Sequence, residues 1–220
     1  MLETYKARVK NEAGMKAEII EFHEAHVTGN DKAHGNRWYQ TANLEAHRIA
    51  NLTGNRVSVC QVAAVISALS PAVSWEINLR DAQTVCEAYV KGSDFDSVTV
   101  STYGQNKAKA YRILSGGLFI DSVRGHFKAG TKTEAFFLNI YSAQMNDPSP
   151  DLHSIVTIDR HAVGIALGSR DTSHQNLSLT AKRYRTIAAA YVAAAEYLGY
   201  ANPYQLQAAT WVAFRREFAG

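Results

Sequence analysis

"SVCQVAAVISALSPAVSWEINLRDA", residues 58–82, sets an apolar run, a break and an amphipathic run in a row. The run up to Leu69 is apolar around most of a helix's circumference, so a helix here must lie at the centre of a core. Pro71 ends it, because the proline ring disfavours helical geometry at the residue before it, and this predicts Ser70 outside the helical region. From Ser74 to Val90 the residues Leu79, Ala82, Cys86 and Tyr89 recur at spacings of three and four, the mark of one helix face. A central buried helix, a corner and an amphipathic helix to cover it are the seed of an all-α fold.

The flanks read the same way. Residues 15–28 place Met15, Ile19 and Phe22 on one face, with an end expected at Gly29; residues 37–53 repeat the pattern with Trp38, Ala42, Ile49 and Leu52 before "TGN". "SVTVS", residues 97–101, is the one β-like run and is too short to found a sheet. "NKAKAYRIL" (106–114) predicts a basic-faced helix stopped by Gly116 and Gly117, and "TKTEAFFLNIYSAQM" (131–145) one with a thick aromatic face. "NDPSPDLHS" (146–154) is polar and proline-rich, a loop. Then come "VTIDRHAVGIALG" (156–168), the alanine-rich "LTAKRYRTIAAAYVAAAEYLG" (179–199) and "NPYQLQAATWVAFRREF" (202–218). In the last, Asn202 suits a cap, Pro203 the first helical position, and Gln205 the return arm of a capping box. The sum is about nine helices.

Composition narrows the function classes. With 220 residues, 46% of them hydrophobic and 20% charged, the chain can bury a core of ordinary size, as one domain or two small ones. No apolar run approaches the eighteen or so residues of a membrane span, and the N-terminus lacks a signal peptide's apolar block, so a cytoplasmic protein is expected. Cys60 and Cys86 sit in apolar helical patterns without ligand spacing, as buried thiols of a reducing compartment do. There is no His-x-Glu with a later Cys-x-x-Cys, no His-Glu-x-x-His and no phosphate-binding glycine loop. Zinc deaminases, zinc proteases and nucleotide hydrolases therefore drop out, and neither metal nor cofactor is expected. A net charge of +3 is compatible with nucleic acid.

Chemistry-bearing residues crowd one helix start: Asp159, Arg160 and His161 precede an apolar run and a glycine stop. Asp before such a run is a helix cap. The same carboxylate suits a reaction in which positive charge develops on a sugar as its base departs. Lys132 stands at another helix start, where the dipole prefers acids, beside Gly130, which allows close backbone approach to a phosphate. Ser70, Trp75 and Asn78 lie at the broken helix junction, either as a core corner or as side chains facing a nucleic-acid strand. Trp38, Tyr39, Trp211 and Arg215 divide in the same way, mostly toward the core, and Arg215 with Arg216 suits a phosphate clamp. Lys107, Lys109, Arg112 and Lys128 are candidates for neutralising phosphates.

Read in order, these segments resemble the helix-hairpin-helix DNA glycosylases of the endonuclease III type. "VAAVISALSPAVSWEINLRDA" resembles the family's early buried helix, break and next helix. "YGQNKAKAYRIL", with Asn106 and Lys107, is similar to its aromatic-glycine-Asn/Ser-Lys-Ala segment. "GTKTEAFFLNI" is similar to the second hairpin helix, whose Gly-x-Lys-Thr stretch carries the lysine of bifunctional members, and "TIDRHAVGIALG" resembles the stretch with the catalytic aspartate. The likeness spans residues 57–170. In place of the family's Leu-Pro-Gly-Val-Gly hairpin stands "GHFKAGT", and the four cysteines of its iron–sulfur members are absent. The chain also resembles small members of this superfamily found in phages and in bacterial anti-phage or base-hypermodification loci.

The resemblance implies an all-α, two-lobed protein in a bacterial cell or phage-infected host, and a monomer in the cytoplasm is expected because each helix has a single apolar face to satisfy within the chain. Its lobes are expected at 57–146 and at 1–56 with 147–220, and its partner is DNA carrying a flipped, modified base. It implies catalytic roles for Asp159 and Lys132. Contacts to DNA or base fall to Ser70, Trp75, Asn78, Asn106, Lys107, Lys128, Gly130, Arg160, His161, Trp211 and Arg215. A non-catalytic DNA-binding or inhibitor protein, and a base-hypermodifying transferase, are the alternatives on the same scaffold.

Overall fold

The computed structural model describes residues 11–143, 152, 154–169 and 179–218, so most of the "NDPSPDLHS" segment lies outside the described residues. Among the described residues there are ten α-helices and no strand: α1 (Glu12–His26), α2 (Gly29–Leu52), α3 (Val59–Leu69), α4 (Trp75–Lys91), α5 (Gly104–Ser115), α6 (Ile120–Arg124), α7 (Lys132–Ser142), α8 (Arg160–Ala166), α9 (Ala181–Tyr197) and α10 (Pro203–Phe218). The β-like "SVTVS" begins at the last residue of a 3-10 turn, Phe95–Ser97, and forms no strand with any of the described residues. None of these helices is long and apolar enough to cross a membrane.

The chain divides into two compact units, Met1–Tyr39 with Asn146–Gly220, and Gln40–Met145. The division falls inside α2. Continuous helix, without glycine or proline at 39–40, leaves no mark of a boundary in the residues themselves.

In the unit Gln40–Met145, α3 is the centre. Every residue from Cys60 to Leu69 is buried, and α4, α5, α6 and α7 all pack on it. Both thiols are held protonated by burial, which pushes Cys60 and Cys86 up to about 12. Polar side chains in this core answer the free groups of helix ends. Gln61 completes the α3 capping box by accepting from the Ser58 N–H, and its Nε2 donates to the Ile113 and Leu114 carbonyls at the end of α5. Asn43 Nδ2 does the same for Ile140 and Tyr141 at the end of α7. Contrary to the proline argument, Ser70 remains right-handed helical (φ −66°, ψ −20°), with its hydroxyl donated back to the Ser67 carbonyl. The chain turns instead at Ala72, whose φ of +65° is left-handed and strained for an alanine.

In the other unit, α1 packs on α8, α9 and α10. Small residues bring the elements close: a Cβ at Gly35 would stand 2.5 Å from the Ala209 Cα. The expected stop at Gly29 is a start. Thr28 and Asp31 form a reciprocal cap, the Thr28 N–H donating to Asp31 Oδ2 (2.9 Å) and the Asp31 N–H to the Thr28 hydroxyl (3.2 Å), which launches α2 eight residues earlier than the apolar pattern suggests. Asp31 also receives Arg216, at 2.9 Å from Nη2. That binds the arginine proposed as half of a phosphate clamp into the fold. The α10 start is as expected, with Pro203 first and the Asn202 N–H donating to Gln205 Oε1.

Burial pushes the Asp31 carboxyl up, but the Thr28 bonds and Arg216 outweigh it, and the net shift is below the ordinary 3.8. A carboxyl lowered in the fold stabilises it above its unfolded value and loses that contribution as pH falls through the folded one. Asp31→Asn is therefore expected to lower the melting temperature at neutral pH, with the gap from wild type closing as pH falls below about 4. Melts across that range check this; a gap constant with pH contradicts it.

Candidate functional site

The site is built on α8, and its position begins with a phenol. Residues 155–159 lie outside regular helix and strand and carry the buried Val156, Thr157 and Ile158. Tyr184 on α9 stands beside this run as a neighbouring strand would. Its hydroxyl donates to the Val156 carbonyl at 2.8 Å and accepts from the Ile158 N–H at 3.2 Å. The next residue is Asp159, in the extended geometry of an N-cap (φ −99°, ψ −177°). Its Oδ1 accepts from the Ala162 N–H at 2.8 Å. Past Ala166 the α8 end closes on Gly168 (φ +63°), the glycine stop that the sequence signals.

The second carboxylate oxygen does other work. Asp159 Oδ2 lies 3.2 Å from His161 Nδ1, in a pair whose side chains are 15% and 9% exposed. An ionised carboxylate can only accept, so Nδ1 donates, and the pair fixes the orientation of the imidazole. Around this pair stand aromatic rings. His161 meets Phe214 at 5.3 Å and Trp211 at 6.4 Å, edge to face, and Trp211 meets Trp38 at 5.9 Å. Both tryptophans are half-buried, and the exposed Arg215 lays its guanidinium over the Trp211 ring at 5.2 Å. Behind the site Tyr191 is wholly buried, and that burial first, then the Asp159 charge, raises its phenol above the ordinary value. Arg160 is exposed.

Asp159, His161, Trp211 and Arg215 thus come together within one unit, joined by Trp38 and Phe214. Tyr184, which holds the approach to Asp159, is invisible to motif reading because its partners lie 26 and 28 residues away.

The remaining candidates lie in the other unit and fall into two groups. At the α3–α4 corner, Asn78 is buried, and its Oδ1 accepts no hydrogen bond from the described residues. Asn106 Nδ2 donates to the Thr102 hydroxyl, which donates to the Pro71 carbonyl, so Asn106 braces the corner. Ser70 and Trp75 are half-buried there. Lys107 turns back onto the chain: Nζ donates to the Phe95 and Val98 carbonyls (3.0 and 2.9 Å) and sits over the Phe95 ring. A segment with little regular structure has carbonyls to satisfy, and this lysine satisfies them.

The second group surrounds the α6–α7 turn. Lys132 is the first residue of α7, and Lys128 is exposed. Gly130 has the left-handed φ (+70°) that the turn requires, but its N–H donates to Glu134 Oε2, whose Oε1 holds Arg124 at 2.6 Å. The group expected to face a phosphate is occupied by an internal carboxylate. Among the described residues no set of three or more histidine, cysteine, aspartate and glutamate side chains is placed to hold a metal ion.

Residues 1–218 match the profile of DUF7178, a family of unknown function. The chain belongs to this family. No curated protein and no solved structure matches it.

Removing the Tyr184 hydroxyl strands a buried carbonyl and a buried N–H beside Asp159. Tyr184→Phe is expected to cost about 1–3 kcal/mol of stability. Chemical denaturation measures the loss; no change contradicts the role of this phenol in holding residues 156–158.

Proposed function

We propose that the protein is a DNA N-glycosylase acting on a flipped, modified base, with Asp159 as the catalytic carboxylate. The observation that carries this reading is the division of that carboxylate: one oxygen caps α8 and the other holds His161, beside half-buried tryptophans and an exposed arginine. A cap alone needs only the first oxygen.

The chemistry follows from the groups present. The C1′–N bond breaks with its electron pair leaving on the base, and positive charge develops on the sugar. Asp159 stabilises that cation, and water adds to C1′ as its proton passes to the Asp159–His161 pair. Trp211 and Trp38 offer faces and edges for an extruded ring, and Arg215 a cation for the neighbouring phosphate. An amine in place of water, the role the resemblance implies for Lys132, would give a Schiff base at C1′ and strand cleavage.

Asp159→Asn separates these roles. Asn caps helices about as well as Asp, so the Ala162 bond survives. Its amide can only donate toward His161, which reverses the imidazole tautomer, and the negative charge at the sugar is gone. The variant is expected to melt near wild type and to bind DNA, while base release falls about a thousandfold or more. Duplexes carrying a panel of modified bases, with released bases read by mass spectrometry and borohydride present in one arm, provide the assay. Release with borohydride trapping identifies an amine nucleophile, and release without it identifies water. DNA binding with no release from any duplex contradicts catalysis and supports a binding protein. A base that gains mass in place supports a transferase.

A further inference from the structure

Two helices of the unit that holds Asp159 begin on cations. Arg160 is the first residue of α8; Lys182 and Arg183 lie in the first turn of α9, and Arg185 follows Tyr184. The positive end of a helix dipole disfavours cations, and neither first turn carries an acid to offset them. In α9 the charges are inverted along its whole length, since its one acid, Glu196, stands at the other end. Lys182 and Arg185 are also three residues apart, a spacing at which like charges repel. Arg160, Lys182 and Arg185 are exposed, and Arg183 is half-buried. None of the four has an ion pair or a side-chain hydrogen bond among the described residues. The acid beside them, Asp159, is committed to the Ala162 N–H and to His161. A fold that used these cations for its own stability would have paired them, as it pairs Arg216 with Asp31.

Tyr184 fixes where they stand. Its hydroxyl holds Val156 and Ile158, so the start of α9 lies against the run that leads into α8. Arg183 and Arg185 adjoin Tyr184 in the chain, each about 100° around the helix from it and on opposite sides. Arg160 comes two residues after Ile158. The four cations therefore gather along the approach to Asp159.

The chemistry of the group selects its partner. Three of the four are guanidiniums, whose planar fork matches the oxygens of a phosphate. A helix that lies on a membrane needs an apolar face for the lipid, but Tyr184, Ile187 and Tyr191, the apolar face of α9, are buried in the core. We propose that Arg160, Lys182, Arg183 and Arg185 form the surface that carries the phosphodiester backbone of a nucleic-acid strand past Asp159. The proposal rests on the reading of DNA as the partner but not on catalysis. It places the phosphate contacts in the same unit as Asp159, whereas Lys107 and the Gly130 N–H of the other unit are turned back onto the chain.

The test titrates an unmodified duplex, at several salt concentrations, with the full chain and with a variant carrying Arg160→Gln, Lys182→Gln and Arg185→Gln. Each phosphate neutralised contributes about 0.9 to the slope of log affinity against log salt. The variant is expected to lose about two to three units of that slope and roughly tenfold or more in affinity at low salt. Its melting temperature should hold or rise, because it gives up cations at the disfavoured ends of two helices. An unchanged slope overturns the proposal. A melting temperature well below wild type also overturns it, by making these cations part of the fold. An equal fall in slope when Lys109, Arg112 and Lys128 of the other unit are replaced by Gln overturns it in favour of net charge. Binding to phosphatidylserine vesicles but not to DNA overturns it in favour of a membrane surface, and wild type that binds no DNA overturns it together with the DNA reading. A slope that falls as expected, with no base released from any duplex, removes the glycosylase reading and leaves this surface standing.

Discussion

The Asp159 carboxylate has two oxygens and two separate obligations, and much of its unit is arranged so that both are met. Oδ1 must reach the Ala162 N–H for α8 to begin, and Oδ2 must lie against His161 Nδ1. Those demands fix the direction from which the chain enters α8. Tyr184 enforces that direction by bonding residues 156 and 158, and the α9 packing on α1 holds Tyr184 in turn. An aspartate used only as a cap could sit on any surface helix. Here it is largely enclosed, with a histidine to orient and aromatic rings on the histidine's far side.

The other unit shows the opposite use of polar groups. Gln61, Asn43, Lys107 and Glu134 all turn inward to helix ends, loop carbonyls or a turn N–H. A buried donor or acceptor left unpaired costs about 1–3 kcal/mol, so this inward use is strongly favoured. The turn at Gly130 takes the left-handed φ of +70° and spends its N–H on the Glu134 carboxylate.

What the sequence makes legible follows from range. Helices α3 and α4 are written locally, in an apolar circumference and a repeat of three and four, and both are found where that pattern puts them. The α8 cap and its glycine stop are equally local. Gly29 misleads because the Thr28–Asp31 cap outweighs the usual meaning of glycine after an apolar run. Pro71 misleads because a residue before proline can stay near the shallow edge of the helical region, which moves the turn to Ala72. The short α6 has too few residues to show a period. Tyr184, the Lys107 anchor and the Arg216–Asp31 pair depend on partners brought close only by folding, and no spacing in the chain announces them. At the site, the same distinction holds: Asp159 and His161 are legible as neighbours, whereas their aromatic surroundings come from α2 and α10.

The most direct test of Asp159 as a stabiliser of a sugar cation avoids the unknown base altogether. It compares affinity for two duplexes that differ at one nucleotide, a cationic pyrrolidine ring in one and a neutral tetrahydrofuran ring in the other. A site complementary to the transition state binds its charged mimic more tightly than the neutral ring. Base excision through Asp159 predicts tighter binding of the pyrrolidine duplex by wild type, by at least about a hundredfold, and loss of that preference in Asp159→Asn. Equal affinity of wild type for the two duplexes, or a preference that survives in Asp159→Asn, would contradict it.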